Sequence, residues 1–140
     1  MTNPSSDIKM MDSMSFGEYM SLIVNNSDIN YILLDTDLKI IALNDRVKHQ
    51  FSKYSGNTLQ EGISILDITP EDNKEKIKEI ANKVLQGSTE TNINRVNFGN
   101  ETEKVVSSTF KPAMDAQGRI VGILISSTDI TIFKQQEAVS

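Results

Sequence analysis

The segment from Pro70 to Gln86 constrains this chain more than any other, because it reads as one well-bounded amphipathic helix set between two groups of strands. Thr69 stands where an N-cap belongs, Pro70 suits the first helical position, and Glu71 and Asp72 put negative charge at the positive end of the helix dipole. Ile77, Ile80, Ala81, Val84 and Leu85 form one stripe, and Gly87 follows at the place where a left-handed backbone favours glycine. Such a stripe has to be buried against something. Before the helix, Ile29 to Leu34 and Lys39 to Leu43 read as strands joined by the turn Asp35-Thr36-Asp37. After it come Glu90 to Phe98, Glu103 to Lys111 and Arg119 to Thr128. Gly99-Asn100 and Asp115-Ala116-Gln117-Gly118 supply the turns, and the middle strand is expected to end at Pro112. Strands joined by turns this short are antiparallel neighbours. The fold class is therefore α+β, an antiparallel sheet with helices laid over one face.

At 140 residues the chain suits one domain, large enough to bury a core without disulfides or metals. Its longest apolar runs, such as Ile123-Leu124-Ile125, are far too short to cross a bilayer, so no membrane partner is expected. The N-terminus has neither a basic nor an apolar segment of the kind that directs secretion, and the expected location is the cytoplasm. A formal charge of −5, with no cluster of Lys or Arg, argues against nucleic acid as a partner.

Ahead of the first strand, Ser15-Phe16-Gly17-Glu18 reads as a capping box. It opens a helix with Phe16, Tyr19, Met20, Ile23 and Val24 on one stripe, ended by Asn25-Asn26-Ser27-Asp28. The stripe can pack on the chain's own sheet or on a second copy. A homodimer is expected through Phe16, Tyr19, Met20 and Ile23. Asn44 or Asp45 can cap the short segment after the first hairpin, with Val47 and Phe51 facing inward. Tyr54 to Leu66 reads as loop, marked by Gly56 and Gly62.

Chemistry is sparse. With no cysteine there is no disulfide, thiolate nucleophile or cysteine metal site, and the single histidine, His49, sits among charged neighbours as a surface residue. No serine or threonine has a histidine base in a recognisable context, no glycine loop cradles a phosphate, and Asp35 with Asp37 reads as turn chemistry. The expectation is that the chain is not an enzyme.

Three blocks in order carry a resemblance. They are Leu33 to Asn44 at the first hairpin, Gly62-Ile-Ser-Ile-Leu-Asp67 before the long helix, and Pro112 to Gly118 with Gly122 and Asp129-Ile130-Thr131. From about Ile29 to Thr131 the chain resembles the PAS domains of sensory proteins, such as those of bacterial histidine kinases. The resemblance implies a five-stranded sheet in the order 2-1-5-4-3, counting strands along the chain. It places the PAS-like domain at 28–131 and the start of a C-terminal signalling helix at 132–140; the polar residues 1–12 are expected to be disordered, and the amphipathic helix 13–27 is an addition to the family pattern. Haem-binding members take their axial histidine from the long helix, and flavin-adduct members need a cysteine; this chain has neither, so haem and covalent flavin are not expected.

What remains is a non-covalent small molecule. Its cavity would lie between the long helix (Ile77, Ile80, Ala81, Val84) and the sheet, closed by Val47 and Phe51. On the third strand Asn92, Asn94, Val96 and Phe98 share one face, while Thr91, Ile93, Arg95 and Asn97 share the other. With the first face inward, Asn92 and Asn94 become polar anchors for a ligand. With it outward, Arg95 enters the cavity and a carboxylate ligand becomes attractive, or the amides simply face water. Asp129, Ile130 and Thr131 read as the exit into a signalling helix, Asp and Thr both being good N-caps, and Asp67-Ile68-Thr69 reads as the same capping solution used earlier. The expected function is a sensory input module that relays a ligand or partner signal through its terminal helices to an effector such as a histidine kinase of a two-component system. The alternative is a ligand-free module for protein–protein interaction or dimerisation. The chain ends before any effector, so the expectation is a piece of a larger regulator or a protein acting in trans.

Overall fold

The computed structural model describes residues 14–55, 59–97, 103–131 and 133, with the backbone alone for 51–55 and 96–97. In chain order the elements are α1 (Phe16–Asn25), β1 (Asn30–Asp35), β2 (Ile40–Leu43), α2 (Asp45–Ser55), a 3-10 turn (Ile65–Ile68), α3 (Glu71–Leu85), β3 (Glu90–Asn97), β4 (Glu103–Met114) and β5 (Ile120–Asp129). The five strands form one antiparallel sheet in the order β2-β1-β5-β4-β3, as the resemblance implied. The N-terminal segment 1–12, the turn at Gly99-Asn100 and the segment 134–140 lie outside the described residues.

Two of the sheet's turns use one device. The carboxylate of Asp115 accepts the backbone N–H of Gln117 at 2.9 Å and of Arg119 at 3.0 Å, while the N–H of Gly118 returns to the Asp115 carbonyl at 3.0 Å. The Arg119 N–H, the Gln117 N–H and the Arg119 guanidinium together hold the Asp115 carboxyl below its usual range. Asp35 repeats the pattern, accepting the N–H of Asp37 at 2.8 Å and of Lys39 at 3.0 Å. The left-handed position that Gly118 fills is taken there by Leu38, at φ 67°, whose side chain packs against the core.

The core lies between the sheet's inner face and the helices: Leu34, Ile40, Leu59, Ile65, Ala81, Val84, Phe110, Ile123 and Ile125 are buried together. α3 ends in a full Schellman motif. The Gly87 N–H bonds the Val84 carbonyl and the Ser88 N–H bonds that of Lys83, with Gly87 at φ 107°. Its start differs from the sequence expectation. Pro70, not Thr69, occupies the N-cap position and its ring has no group that could cap, while the Thr69 hydroxyl donates instead to the Ile65 carbonyl at 2.7 Å. β4 also runs past Pro112 to Met114. Its pairing with β3 stops at Glu90↔Phe110, so the missing proline N–H costs nothing on that side while β5 continues to pair through Ile120.

The 3-10 turn is pinned over the sheet by the segment before it. Gly62 and Ile63 exchange backbone bonds of 2.8 Å with Ile40, and the Ile65 N–H reaches the Leu38 carbonyl at 2.9 Å. This covers the free edge of β2 and fixes Ile65 and Ile68 above the inner face. Among the described residues, no helix is long and apolar enough to cross a membrane.

Candidate functional site

β3 carries an inverted pattern. Asn92 is only 7% exposed, whereas its neighbour Ile93 is 51% exposed on the outer face. Burying a lone amide costs about 1–3 kcal/mol, and leaving an isoleucine in water forgoes about 1.5–3 kcal/mol. A one-residue slip of the strand would exchange the two faces. The register with β4 forbids it, pairing Asn92 with Ser108 and Ile93 with Ser107 along eight consecutive residues. The face carrying Asn92 and Asn94 is thus the inner one, the alternative left open by the sequence. Arg95 lies outside, 3.6 Å from Glu103, and does not enter the cavity.

These amides look into a cavity of about 230 Å³ between α3 and the sheet. Its sheet side is Ile32, Ile125, Phe110, Ser108, Asn92 and Asn94; its other side is Ile65, Ile68, Thr69 and Pro70 with Asn73 and Ile77 of α3. No ionisable side chain is among them. The Thr69 and Ser108 hydroxyls are engaged, by the Ile65 carbonyl and by Ser127 at 2.8 Å. Among the described residues the Asn92 side chain has no hydrogen-bond partner and meets the open cavity, whereas the fully buried atoms left unpaired are Asn30 Oδ1 and Arg46 Nε.

Of the residues expected at a ligand site, Ile77, Asn92 and Asn94 line this cavity. Ala81 and Val84 belong to the closed core, at 5% and 0% exposure, and Val47 and Ile80 pack against that core without reaching the cavity. The stripe of α3 is longer than the cavity, and only its N-terminal end overhangs the opening. The side chain of Phe51 lies outside the described residues. Ser108, Phe110 and the 3-10 turn were not singled out from sequence; the alternation of β4 was the signal that placed Ser108 and Phe110 inward.

At the exit of β5 the three residues Asp129-Ile130-Thr131 are stitched to β4. The Ile130 N–H reaches the Val105 carbonyl at 2.8 Å, and the Val105 N–H reaches the Thr131 hydroxyl at 2.9 Å. That hydroxyl donates to the Asp129 carboxylate, which also accepts the Thr131 N–H at 2.9 Å and lies 3.8 Å from the Lys104 ammonium. Partial burial pushes the Asp129 carboxyl up, but the bonds from Thr131 and the Lys104 charge outweigh it and hold it below the usual range. Asp67-Ile68-Thr69 does not repeat this arrangement, since Thr69 bonds back to its own turn. Beyond Thr131 only Phe133 is described, and it is exposed.

The other end of the domain is held by Asn44. It is 3% exposed and stands before α2, but its side chain does not cap that helix. Its carbonyl accepts the Tyr31 N–H at 3.0 Å, and its amide donates to Ile29 at 2.8 Å and to Val24, in α1, at 2.9 Å. The expected capping box of α1 is present, with the Glu18 N–H on Ser15 Oγ at 3.1 Å and the Ser15 N–H on Glu18 Oε1 at 3.4 Å. Of the α1 stripe, Phe16 (79%), Met20 and Ile23 (62%) are exposed, while Tyr19 and Val24 are half-buried. Met20, Ile23 and Val24 border a second, apolar hollow of about 500 Å³ against Tyr31, Leu33, Ala42 and Leu124, on the outer face of the sheet. His49 is exposed, and no cluster of three metal-ligating side chains occurs among the described residues.

The family model described as PAS fold matches residues 24–135. No curated protein matches the chain. Among solved structures it is similar to phage VqmA in complex with DPO, with 19% identity, a TM-score of 0.66, and coverage of 89% of this chain and 58% of that one. Vibrio cholerae VqmA, solved with ligand and DNA, shares 15% identity at a TM-score of 0.65, over 84% of this chain and 53% of the other. The PAS domain of Bordetella pertussis BvgS shares 17% identity at 0.64, over 87% and 94%. A sensory box sensor histidine kinase from Vibrio cholerae shares 13% identity at 0.55, over 90% and 98%. The chain thus spans little more than half of the VqmA structures. They correct one expectation, the exclusion of nucleic acid. Net charge speaks only for the residues counted, and this fold occurs within a longer protein solved on DNA.

Proposed function

The chain belongs to the PAS fold family, and from that premise we propose that it is the sensory input module of a signalling protein, taking a small molecule into the cavity between α3 and the sheet. The observation that carries this reading is Asn92, a largely buried residue whose amide has no protein partner among the described residues and faces a cavity that the fold leaves open. Local rules of stability are broken there without any structural gain, which is where functional residues are found. The cavity volume supports a ligand smaller than a haem or flavin, bound without a covalent link. Asn92 and Asn94 orient that ligand, while Ile77 and Phe110 enclose it. The relay runs through β5 to Asp129, Ile130 and Thr131, whose bonds to Val105 and Lys104 set how the following segment leaves the sheet. No catalytic step is involved, and the module works in the cytoplasm, passing its signal to an effector such as a histidine kinase or a DNA-binding segment.

A thermal-shift screen of neutral metabolites tests this. At least one compound should raise the Tm of the wild-type chain and have no effect on Ile77→Trp, in which the cavity is filled. If no compound acts on the wild type, or if the shift persists in Ile77→Trp, the reading is wrong.

A second reading has its own observation, the exposed Phe16, Met20 and Ile23 on α1. There the chain is an interaction module that pairs through α1 without a ligand. Light scattering of Tyr19→Asp/Ile23→Asp against wild type discriminates: loss of a dimer supports it, and two identical monomers exclude it.

A further inference from the structure

On the sheet's inner face a row of polar side chains crosses four strands in register. Asn92 of β3 stands opposite Ser108 of β4, Ser108 opposite Ser127 of β5, and Ser127 opposite Asn30 of β1. The next inward row holds the apolar Phe110, Ile125 and Ile32, with Glu90 at its β3 end, where the carboxylate accepts from the Ser88 hydroxyl. Within the polar row the two serine hydroxyls bond each other at 2.8 Å, and the Asn30 amide donates to Gln50 of α2 at 2.8 Å. The hydroxyls therefore have a partner in each other; Asn30 Oδ1 is buried without one, and at its other end the row reaches the cavity in the Asn92 carboxamide, which has no protein partner among the described residues and faces the open space. This end is more than nine-tenths buried. It presents one acceptor and two donors, fixed by the strand rather than by a mobile loop.

Resting on the reading of this cavity as the ligand site, we infer that it selects a neutral molecule carrying a hydrogen-bond donor and acceptor side by side, a primary carboxamide or a lactam on a small apolar frame, held edge to edge by Asn92. Charge complementarity excludes the other classes. A carboxylate would enter a cavity with no cation in its wall, since Arg95 is turned outward onto Glu103. An ammonium would find no anion. A hydrocarbon would fill the space between Ile32, Ile68, Ile77 and Phe110 but leave the buried amide unpaired. The apolar walls and about 230 Å³ of space fit a single ring with short substituents, below the roughly 300 Å³ at which pockets for drug-sized ligands begin. Asn94, two residues along the same face and about 6.6 Å away by strand geometry, stands nearer the opening and takes a second polar group.

The test compares three probes of one shape, benzamide, benzoate and toluene, by ligand-observed NMR and thermal shift on the whole chain. Benzamide should bind at least about tenfold more tightly than either of the others. In Asn92→Leu that order should reverse, toluene binding better than benzamide, while the ligand-free variant keeps its Tm because the amide makes no bond to the protein among the described residues. If the leucine variant does not fold, Asn92→Ser carries the same comparison. Arg95→Ala should leave all three affinities unchanged. Tighter binding of benzoate or toluene to the wild type, or benzamide binding that ignores position 92, overturns the assigned class but leaves the cavity as a ligand site. Binding of none of the three overturns both.

Discussion

At the scale of single residues, Asn44 and Gly122 hold the frame around the site. Asn44 satisfies three backbone groups at once, those of Val24, Ile29 and Tyr31, so Asn44→Ala orphans all three in a buried setting. A loss of about 3 kcal/mol is expected in urea unfolding, with α1 released from the sheet. Gly122 sits where β5 meets the irregular ends of β1 and β4; a Cβ there would lie 2.1 Å from the Leu34 carbonyl oxygen. Backbone cannot move aside as a flexible side chain can. Gly122→Ala should therefore cost about 3 kcal/mol or abolish folding, and circular dichroism melting is sufficient to see it. Asn92 differs, because its amide faces the open cavity and can be reached by solvent there. Asn92→Leu should therefore change the stability of the ligand-free chain by less than about 1 kcal/mol.

At the scale of elements, the sequence made some features plain and hid others for physical reasons. The α1 capping box, the α3 stripe with Gly87 and the two Asp-anchored turns were legible, because each is decided by neighbours within a few residues. The inward face of β3 was not. Alternation fixes which residues share a face, but only the pairing with β4 decides that Asn92 and Asn94 point in while Ile93 points out. Thr69 and Asn44 were read as caps because their side chains suit that role. Each is instead drawn to a carbonyl or N–H that tertiary packing brought nearby. The reach of the cavity was also invisible, since a helical stripe does not tell where the overlying turn ends and a space begins; Ala81 and Val84 fell in the core and Ile77 at the opening. Pro112 misled as a strand end because one neighbouring strand stops two residues earlier and the other does not.

At the scale of the whole molecule, the cavity and the exit of the chain lie on the same two strands. β4 supplies Ser108 and Phe110 to the cavity wall and Val105 to the Thr131 hydroxyl; β5 supplies Ile125 to the wall and ends in Asp129. The junction has a pH signature. Because the folded Asp129 carboxyl is held below its unfolded value of about 3.9, its contribution to stability is present above that pH and is lost as pH falls through the lowered folded value. Asp129→Asn should remove that part of the acid dependence and, for a half-exposed group, cost less than about 1 kcal/mol at pH 7. The same variant should loosen the segment after Thr131 without changing ligand affinity, which separates relay from binding. The central claim, that the cavity takes a small neutral ligand, is tested most directly by native mass spectrometry of the chain gently purified from expressing cells. The wild type should carry a small-molecule adduct that is lost on denaturation and is missing from Ile77→Trp. A bare wild-type mass, or the same adduct on both proteins, would contradict it.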